Sequence, residues 1–365
     1  MNEREWPDPA REPRIIIAGG GTGGHAIPAL CVADSLSERG ATVEFLGART
    51  GIEKDLVPAA GYPLYSLPLE GLSGGPVARA RAGVLFLKAL ARCRRLIQDL
   101  RPAAVLGVGG YASAPAVVAA GTLRVPTFLH EQNSVPGRVN RLASRFTTES
   151  FVTFPAAGQY LKDADWVGMP TRTEHFTTSR DEALATLNLK PPVVLIFGGS
   201  GGALKLNLAA QQAFKDSTPY TVVQISGRRD YPLLSANNHN HIILEYVDDI
   251  WHYLAAAAVV VSRAGAGSLF DVAAVGRAAI LVPFPHATGD HQLHNARFFT
   301  QKGAAELLMD SEVTAAALRG RVEALLEDDE RRELLAGRIR GLATPGAADE
   351  IATRLLLAAE REDEG

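Results

Sequence analysis

One pattern occurs twice along this chain: a short apolar run leads into a glycine-rich turn and then into a helical stretch. Residues 15–17 lead into glycines at 19–24, and residues 193–197 lead into glycines at 198–202. Such β-branched runs are typical of buried parallel strands. Glycines after the strand let backbone N–H groups approach an anion at the start of a helix. The repeat therefore predicts an α/β protein with two Rossmann-like parallel-sheet domains.

The length of 365 residues also suits two domains. We predict an N-terminal domain over residues 1–166, a linker over 167–171 and a second domain over 172–344. A C-terminal segment, 345–365, contains a helix that can pack back on the N-terminal domain. Facing domains would leave a cleft at the carboxyl ends of both sheets, where open α/β sheets bind ligands.

Composition excludes several classes of protein. The net charge of −3 gives no general attraction to nucleic acid. The two cysteines, Cys31 and Cys93, lie in apolar helical stretches and lack the spacing of metal ligands. We therefore expect a reducing compartment, no bound metal and no cofactor. Residues 1–13 lack the basic start and apolar core of a secretion signal, and no uninterrupted apolar run reaches the length of a membrane span.

The first glycine turn ends in a histidine, His25, and lacks the lysine of a Walker loop. A helix N-terminus disfavours the charged form of an imidazole, whose ordinary pKa is about 6.5. A neutral ring can accept a proton, so we interpret His25, with Thr22 beside it, as a general base. A tight turn with a solvent-facing histidine is the alternative. Glu131, in a polar run at the end of another predicted strand, is a second candidate acid or base.

Other polar groups follow predicted strands of the second half. Ser200 in the second glycine turn could donate a hydrogen bond to an anion, and Gln292 could bind sugar hydroxyls. Asp271 either forms a helix-capping box with Ser268 or accepts hydrogen bonds from a ribose. Arg172 could contact a diphosphate, although a solvated surface charge is the simpler interpretation of a single arginine.

A basic stretch over residues 79–101 carries seven basic side chains and one acidic side chain. It contains the run Val84, Leu85, Phe86 and Leu87, which is apolar in every helical direction. Phe86 can face a core, which leaves the other three partly unexplained. A basic helix with spare apolar surface is typical of interfacial membrane binding, and a core helix with a solvated basic face is the alternative. We predict that these four residues contact an anionic membrane surface.

Six motifs together resemble those of the MurG-type glycosyltransferases, in the same order and at similar spacing. They are GGGTGGH, GVGGYASAP, HEQNSVPGRVNR, GGSGGA, SRAGAGSLFD and PFPHATGDHQLHNA, and the resemblance runs from Arg14 to about Leu357. It implies a GT-B fold and the inverting transfer of N-acetylglucosamine from UDP-N-acetylglucosamine to the 4-hydroxyl of the muramyl sugar of lipid I, which gives lipid II. Lipid I is undecaprenyl-diphosphate-MurNAc-pentapeptide, so the resemblance also implies a peripheral protein on the cytoplasmic face of the bacterial cell membrane.

The resemblance also implies roles for individual residues. The substrate-binding residues would be Thr22, Gly23, Gly24, Asn133, Arg172, Ser200, Val247, Ala266, Gly267, Ser268, Asp271 and Gln292. Val247 stands where the family contacts uracil, Asp271 where an acid binds the ribose and Gln292 where a glutamine binds the sugar. The turn of Gly109, Gly110 and Tyr111 would face the acceptor together with His25. The family usually has Glu at the position of Asp271, Gln at Gly201 and Asn at Met169.

Two other functions fit part of the same pattern. A UDP-N-acetylglucosamine 2-epimerase, or another GT-B enzyme, would share the fold, but the basic apolar helix around Phe86 favours a membrane acceptor. A nicotinamide-dependent or non-catalytic nucleotide-binding protein would share the glycine turns. The motifs of the second half fit a uridine site better than a second dinucleotide site.

Overall fold

The structure is a computed structural model that describes residues 12–69, 76–199, 201–236 and 238–363. The chain divides into two compact units. Unit 1 consists of Met1–Pro170 together with Gly346–Gly365, and unit 2 consists of Thr171–Pro345. Each unit has its own parallel sheet and its own hydrophobic core.

Unit 1 contains a seven-stranded sheet whose described strand pairs are all parallel. The strands are β1 Arg14–Ala18, β2 Thr42–Ala48, β3 Leu64–Leu67, β4 Ala104–Gly107, β5 Thr127–Glu131, β6 Glu149–Val152 and β7 Ala164–Trp166. Their spatial order is β3-β2-β1-β4-β5-β6-β7. The order reverses between β1 and β4, so the turns that follow these two strands lie side by side at the carboxyl edge, where such sheets bind ligands.

Helices cover both faces of this sheet. They are α1 Gly23–Glu38, α2 Glu53–Ala59, α3 Pro76–Leu100, α4 Ser113–Thr122 and α5 Arg138–Ala143, with 3-10 turns at Ser144–Phe146 and Pro155–Tyr160. In β1, Ile15 and Ile17 pack into the core on one face, and Ile16 packs into the core on the other. All three are fully buried, which explains why the run is apolar at every position.

Unit 2 contains a six-stranded sheet in the order β10-β9-β8-β11-β12-β13, again with parallel pairs throughout its described strands. Its strands are β8 Val193–Phe197, β9 Thr221–Ile225, β10 His241–Leu244, β11 Val259–Ser262, β12 Ala278–Leu281 and β13 Glu306–Leu307. Its helices are α6 Glu174–Thr177, α7 Arg180–Leu187, α8 Leu204–Ala213, α9 Ile250–Ala256, α10 Ala266–Val275, α11 His291–Thr300, α12 Ala315–Glu327 and α13 Asp329–Arg340, with 3-10 turns at Tyr231–Leu233, Thr288–Asp290 and Asp310–Glu312.

The C-terminal helix, α14 Ala347–Asp363, packs on α1 within unit 1. Its apolar side chains Ile351 and Leu355 are fully buried in the core that also holds β1. Arg39, just after α1, donates to Asp349 Oδ1 at 3.0 Å and to Thr353 Oγ1 at 2.6 Å. Apolar burial and these hydrogen bonds together hold α14 on unit 1.

The two sheets confirm the predicted α/β class with two Rossmann-like parallel-sheet domains. Both glycine turns follow a central strand of their sheet, β1 in unit 1 and β8 in unit 2. Within the described ranges, no helix combines the length and the apolar character needed to cross a bilayer.

Candidate active site

The first glycine turn packs directly against the turn that follows β4. Gly20 N–H donates to Gly109 O at 3.3 Å, and a Cβ atom added at Gly110 would lie 2.2 Å from Gly20 O. Gly110 also has a φ of +77°, which favours glycine. Part of the glycine pattern therefore serves the close approach of two turns at the switch point of the sheet.

His25 lies in the first turn of α1, beside this pair of turns. Its Nδ1 lies 2.9 Å from Thr22 Oγ1. The half-buried ring packs against the backbone of the turn that follows β4. A Cβ atom added at Gly109 would lie 2.9 Å from the ring Cδ2 and 3.1 Å from Nε2. When Nδ1–H donates to Thr22, Nε2 carries the lone pair that a general base needs. The structure thus brings Thr22, His25 and Gly109 together, and a side chain larger than glycine at 109 would displace the ring.

The helices α1 and α10 begin in a similar way. Their N-cap residues, Thr22 and Gly265, have extended backbones and form no side-chain cap, and neither first turn carries an acidic residue. In the described part of the chain, their first N–H groups therefore lack the usual capping acceptor, and such N–H groups can bind an anion. The capping-box alternative for Ser268 and Asp271 is wrong, because α10 begins at Ala266 and both residues lie inside the helix.

Glu131 lies at the end of β5 and is only 2% exposed. One carboxylate oxygen accepts from Asn133 N–H at 2.9 Å, and the other accepts from Asn140 Nδ2 at 2.7 Å. Burial raises the pKa of Glu131, and these hydrogen bonds oppose the rise. Asn140 Nδ2 would in turn lie 3.3 Å from a Cβ atom at Gly109, on the side where His25 packs. Glu131 therefore organises the turn beside His25, while the half-buried imidazole is the more accessible of the two groups.

His130, next to Glu131, is buried and fully hydrogen-bonded. Its Nε2–H donates to Gly168 O at 3.0 Å, and its Nδ1 accepts from Gln132 Nε2 at 3.1 Å. Burial lowers the pKa of His130 to about 4. The ring is therefore neutral at physiological pH. Its hydrogen bond to Gly168 connects the end of β5 to the last residues of the Met1–Pro170 part of unit 1.

Asp271 in unit 2 belongs to a cluster that sequence reasoning largely missed. Its Oδ1 lies 3.5 Å from Nε2 of His175, and its side chain remains 25% exposed. His175 packs edge-on against Trp251, and the Arg172 guanidinium lies over the same indole ring, 5.6 Å from its centroid. Burial raises the pKa of Asp271, and the charges of His175 and Arg172 oppose that rise. No local pattern marks His175 or Trp251, because each is an ordinary residue in a short helix.

The second glycine turn approaches the turn after β9. A Cβ atom added at Gly202 would lie 2.7 Å from Ser226 O, and one at Gly227 would lie 2.5 Å from Gly202 N. Ser200, the proposed anion donor, lies outside the described residues. Here too glycine allows two strand-ending turns to pack closely.

Two more of the predicted substrate-binding residues lie in unit 2, Val247 after β10 and Gln292 in α11. Val247 is half-buried between β10 and α9. Gln292 is the second residue of α11, and its Oε1 accepts from Phe284 N–H at 3.0 Å, so its amide Nε2 is the atom that can donate to another group. Arg263, which sequence reasoning did not single out, donates to the carbonyls of Val282 and Pro283 at 3.2 Å and so holds the turn before Gln292.

No group of three or more His, Cys, Asp or Glu side chains in the described ranges could hold a metal ion. An Asp-x-Asp spacing, which can hold a metal ion, occurs at Asp163 and Asp165. Asp163 pairs with Lys162 at 3.6 Å, and Asp165 pairs with Arg354 at 2.7 Å. Both carboxylates are thus engaged with basic side chains.

The predicted membrane-contacting run lies on α3. Val84 is 53% exposed and Leu87 is 64% exposed, whereas Leu85 and Phe86 are less accessible. Phe86 packs against a small buried cluster that includes Val117 and Ala143. Among the side chains of α3 that the structure describes from residue 81 onward, Val84 and Leu87 therefore contribute most of the outward apolar surface.

Comparisons with known proteins agree with this arrangement. The glycosyltransferase family 28 N-terminal domain matches residues 15–152, and the glycosyltransferase family 28 C-terminal domain matches residues 193–348. A UDP-N-acetylglucosamine–N-acetylmuramyl-(pentapeptide) pyrophosphoryl-undecaprenol N-acetylglucosamine transferase of Rubrobacter xylanophilus is 62% identical over 338 residues, which cover 92% of this chain and 100% of the relative. A protein of the same name from Oenococcus oeni is 36% identical over 355 residues, covering 93% of this chain and 95% of that relative.

The solved structures give the same result. The crystal structure of Acinetobacter baumannii MurG matches with a TM-score of 0.76 and 30% sequence identity, over 94% of this chain and 99% of that one. The chain thus matches both domain models of the family and the full length of a relative. The chain belongs to glycosyltransferase family 28, within the MurG family of N-acetylglucosamine transferases.

Proposed function

We propose that this protein transfers N-acetylglucosamine, with inversion, from UDP-N-acetylglucosamine to the 4-hydroxyl of the muramyl sugar of lipid I, giving lipid II for peptidoglycan synthesis. The observation that carries the proposal is the imidazole of His25, held by Thr22 against the Gly109 turn at the switch point of the first sheet. The 62% identity to a relative named for this reaction supports the choice of substrates.

On the acceptor side, His25 removes the proton of the attacking hydroxyl. The hydroxyl oxygen forms a bond to the anomeric carbon of the donor sugar, and the bond from that carbon to the β-phosphate oxygen of UDP breaks. The proton passes to His25 Nε2, and UDP leaves. General-base catalysis of this kind contributes about 10²- to 10⁴-fold to the rate. The half-buried ring suits this role better than the carboxyl of Glu131, which already accepts two short hydrogen bonds.

The first turns of helices bind phosphate in the proposed mechanism. In unit 2 the N–H groups of Ala266, Gly267 and Ser268 at the start of α10, with Arg172, stabilise the negative charge that develops on the leaving diphosphate. In unit 1 Thr22, Gly23 and Gly24 contribute to substrate binding through the N-terminus of α1. Support comes from the absence of side-chain caps and first-turn acids at both helices, within the described residues.

The other donor contacts follow from the polar side chains at strand ends. Asp271 accepts hydrogen bonds from the ribose, since a quarter of its side chain is exposed beside His175. Gln292 donates its Nε2–H to a sugar hydroxyl, Val247 contacts uracil, and Ser200 donates to the diphosphate. Asn133 completes the substrate-binding set from unit 1.

The acceptor turn of Gly109, Gly110 and Tyr111 meets the muramyl sugar, and Tyr111 is 47% exposed in the structure. Because a lipid-linked acceptor stays in the membrane, the enzyme must bind the membrane surface. We assign this contact to the exposed Val84 and Leu87 on α3, next to the partly accessible Leu85 and Phe86, with basic side chains of the same helix facing anionic lipid. The protein would then be peripheral, on the cytoplasmic face of the bacterial cell membrane.

Transfer of radiolabelled N-acetylglucosamine from UDP-N-acetylglucosamine to a soluble-chain lipid I analogue tests the proposal. We expect a labelled disaccharide product in which the anomeric configuration of the sugar is inverted. A parallel incubation with UDP-N-acetylglucosamine alone should leave the sugar unchanged. Epimerised sugar in that control, with no labelled disaccharide, would replace the proposal with the epimerase alternative.

A further inference from the structure

A buried carboxylate that the proposed mechanism does not use lies behind the first glycine turn. Glu53 is the first residue of α2 and is 1% exposed. Its Oε2 accepts from Gly21 N–H at 2.7 Å, and its Oε1 accepts from Ala48 N–H at 2.9 Å. One side chain therefore joins the turn after β1 to the end of β2 through two charge-assisted hydrogen bonds.

Three glycines make room for this carboxylate. A Cβ atom would lie 2.3 Å from a Glu53 carboxyl atom if added at Gly20, and 1.9 Å if added at Gly51. One added at Gly47 would lie 2.7 Å from the Glu53 side chain. Gly47 and Gly51 have no left-handed φ, so space for the carboxylate, and not backbone conformation, is what requires glycine there.

We propose that Glu53 is a positioning residue for the transfer reaction, because its carboxylate sets the backbone of the first glycine turn and thereby the placement of His25. The Gly21 N–H points to Glu53 and is thus not available to a phosphate. The N–H groups that remain for an anion are those at the start of α1, directly before His25. The expected effect on kcat rests on the proposed function, whereas the positioning of the turn by Glu53 does not.

The kinetic test compares Glu53→Gln with Asp55→Asn. Glu53→Gln keeps the size of the side chain but turns an amide donor towards one of the two N–H groups, so the turn loses an acceptor. Asp55 lies in the same turn of α2, and its side chain is 74% exposed, so its neutralisation changes the charge without touching the glycine turn. We expect kcat to fall at least about tenfold in Glu53→Gln, as for a small misplacement of reacting groups. The KM for UDP-N-acetylglucosamine should stay within about twofold, and Asp55→Asn should match the wild type.

A second variant, Gly51→Ala, tests the same contact from the other side. Its added Cβ would displace the Glu53 carboxylate, so it should show the same loss of kcat as Glu53→Gln.

A folded Glu53→Gln protein with wild-type kcat would overturn the inference, and so would equal losses in the two acid variants. A purely structural role would lower the melting temperature and leave kcat unchanged below it. If Glu53→Gln does not fold, the rates of amide hydrogen exchange in the wild-type protein test the inference instead. The Gly21 amide should exchange at least about tenfold more slowly than the Gly24 amide, which lies in the first helical turn and has no intrahelical acceptor. Equal exchange would refute the inference, and an inactive wild type would refute only the proposed function.

Discussion

His130 makes a quantitative prediction about how the stability of unit 1 depends on pH. The ring is 1% exposed, and burial lowers its pKa from 6.5 to about 4. In the unfolded chain His130 takes up a proton as the pH falls below about 6.5, whereas in the folded chain it stays neutral down to about 4. The unfolded state therefore binds more protons in this window, and the free energy of unfolding falls as the pH falls through it.

The size of the effect follows from the two pKa values. Each pKa unit is worth about 1.36 kcal/mol, so the full effect below pH 4 is about 3 kcal/mol. Between pH 7 and pH 5 the expected loss is roughly 2 kcal/mol, because most of the unfolded chains are already protonated at pH 5. Below pH 4 both states are protonated and the contribution of His130 levels off.

Urea unfolding at pH 7, 6 and 5, followed by circular dichroism, measures this loss in the wild type and in His130→Gln. A glutamine can still donate to Gly168 O but does not titrate, so the wild type should lose roughly 2 kcal/mol more than the variant between pH 7 and 5. His286→Gln, which removes an exposed ring, is the control and should follow the wild type. Parallel pH profiles for the wild type and His130→Gln would refute the argument that burial lowers the pKa of this histidine.

Three further outcomes follow from the proposed site. His25→Ala should lower kcat about 100-fold or more while calorimetry finds unchanged affinity for UDP, and a kcat near that of the wild type would exclude His25 as the base. Asp271→Ala should raise the KM for UDP-N-acetylglucosamine about tenfold, the usual loss for a hydrogen bond to a charged group, whereas an unchanged KM would remove Asp271 from the ribose site. Val84→Ser combined with Leu87→Ser should reduce binding to anionic lipid vesicles about tenfold in a sedimentation assay, with transfer to a soluble acceptor retained; undiminished vesicle binding would place the membrane contact elsewhere.

Helix starts show one limit of the sequence patterns. Ser268 and Asp271 have the spacing of a capping box, yet α10 already begins at Ala266 after Gly265. Capping preferences amount to about 1 kcal/mol, which is small enough for tertiary packing to decide where a helix begins. The motif thus located the right segment, and the tertiary structure shows that Ser268 is inside the helix.

Contacts between distant residues show the other limit. Glu53 is separated from Gly21 by 32 residues, and His175 is almost a hundred residues before Asp271, so no periodic pattern relates them. The sequence interpretation offered phosphate binding or a tight turn as the reason for the glycines at 19–21. The structure adds their packing against the Gly109 turn and against a buried carboxylate, which only the neighbouring strands bring into place.

The sequence patterns were sufficient for the two parallel sheets and their glycine turns, and the resemblance to the MurG-type enzymes supplied the hypothesis that His25, Asp271 and Gln292 serve a sugar transfer. Apolar runs, turn glycines and helix periodicity are local properties, and they act through side chains a few residues apart. Only the tertiary structure could decide that Glu131 and His130 are buried, that Phe86 packs against a buried cluster, and that Glu53 holds the first turn. Burial and hydrogen bonding at those positions depend on which strands become neighbours in the folded sheet. Strand adjacency cannot be predicted from the residues of one segment, because it depends on segments that are far apart in the sequence.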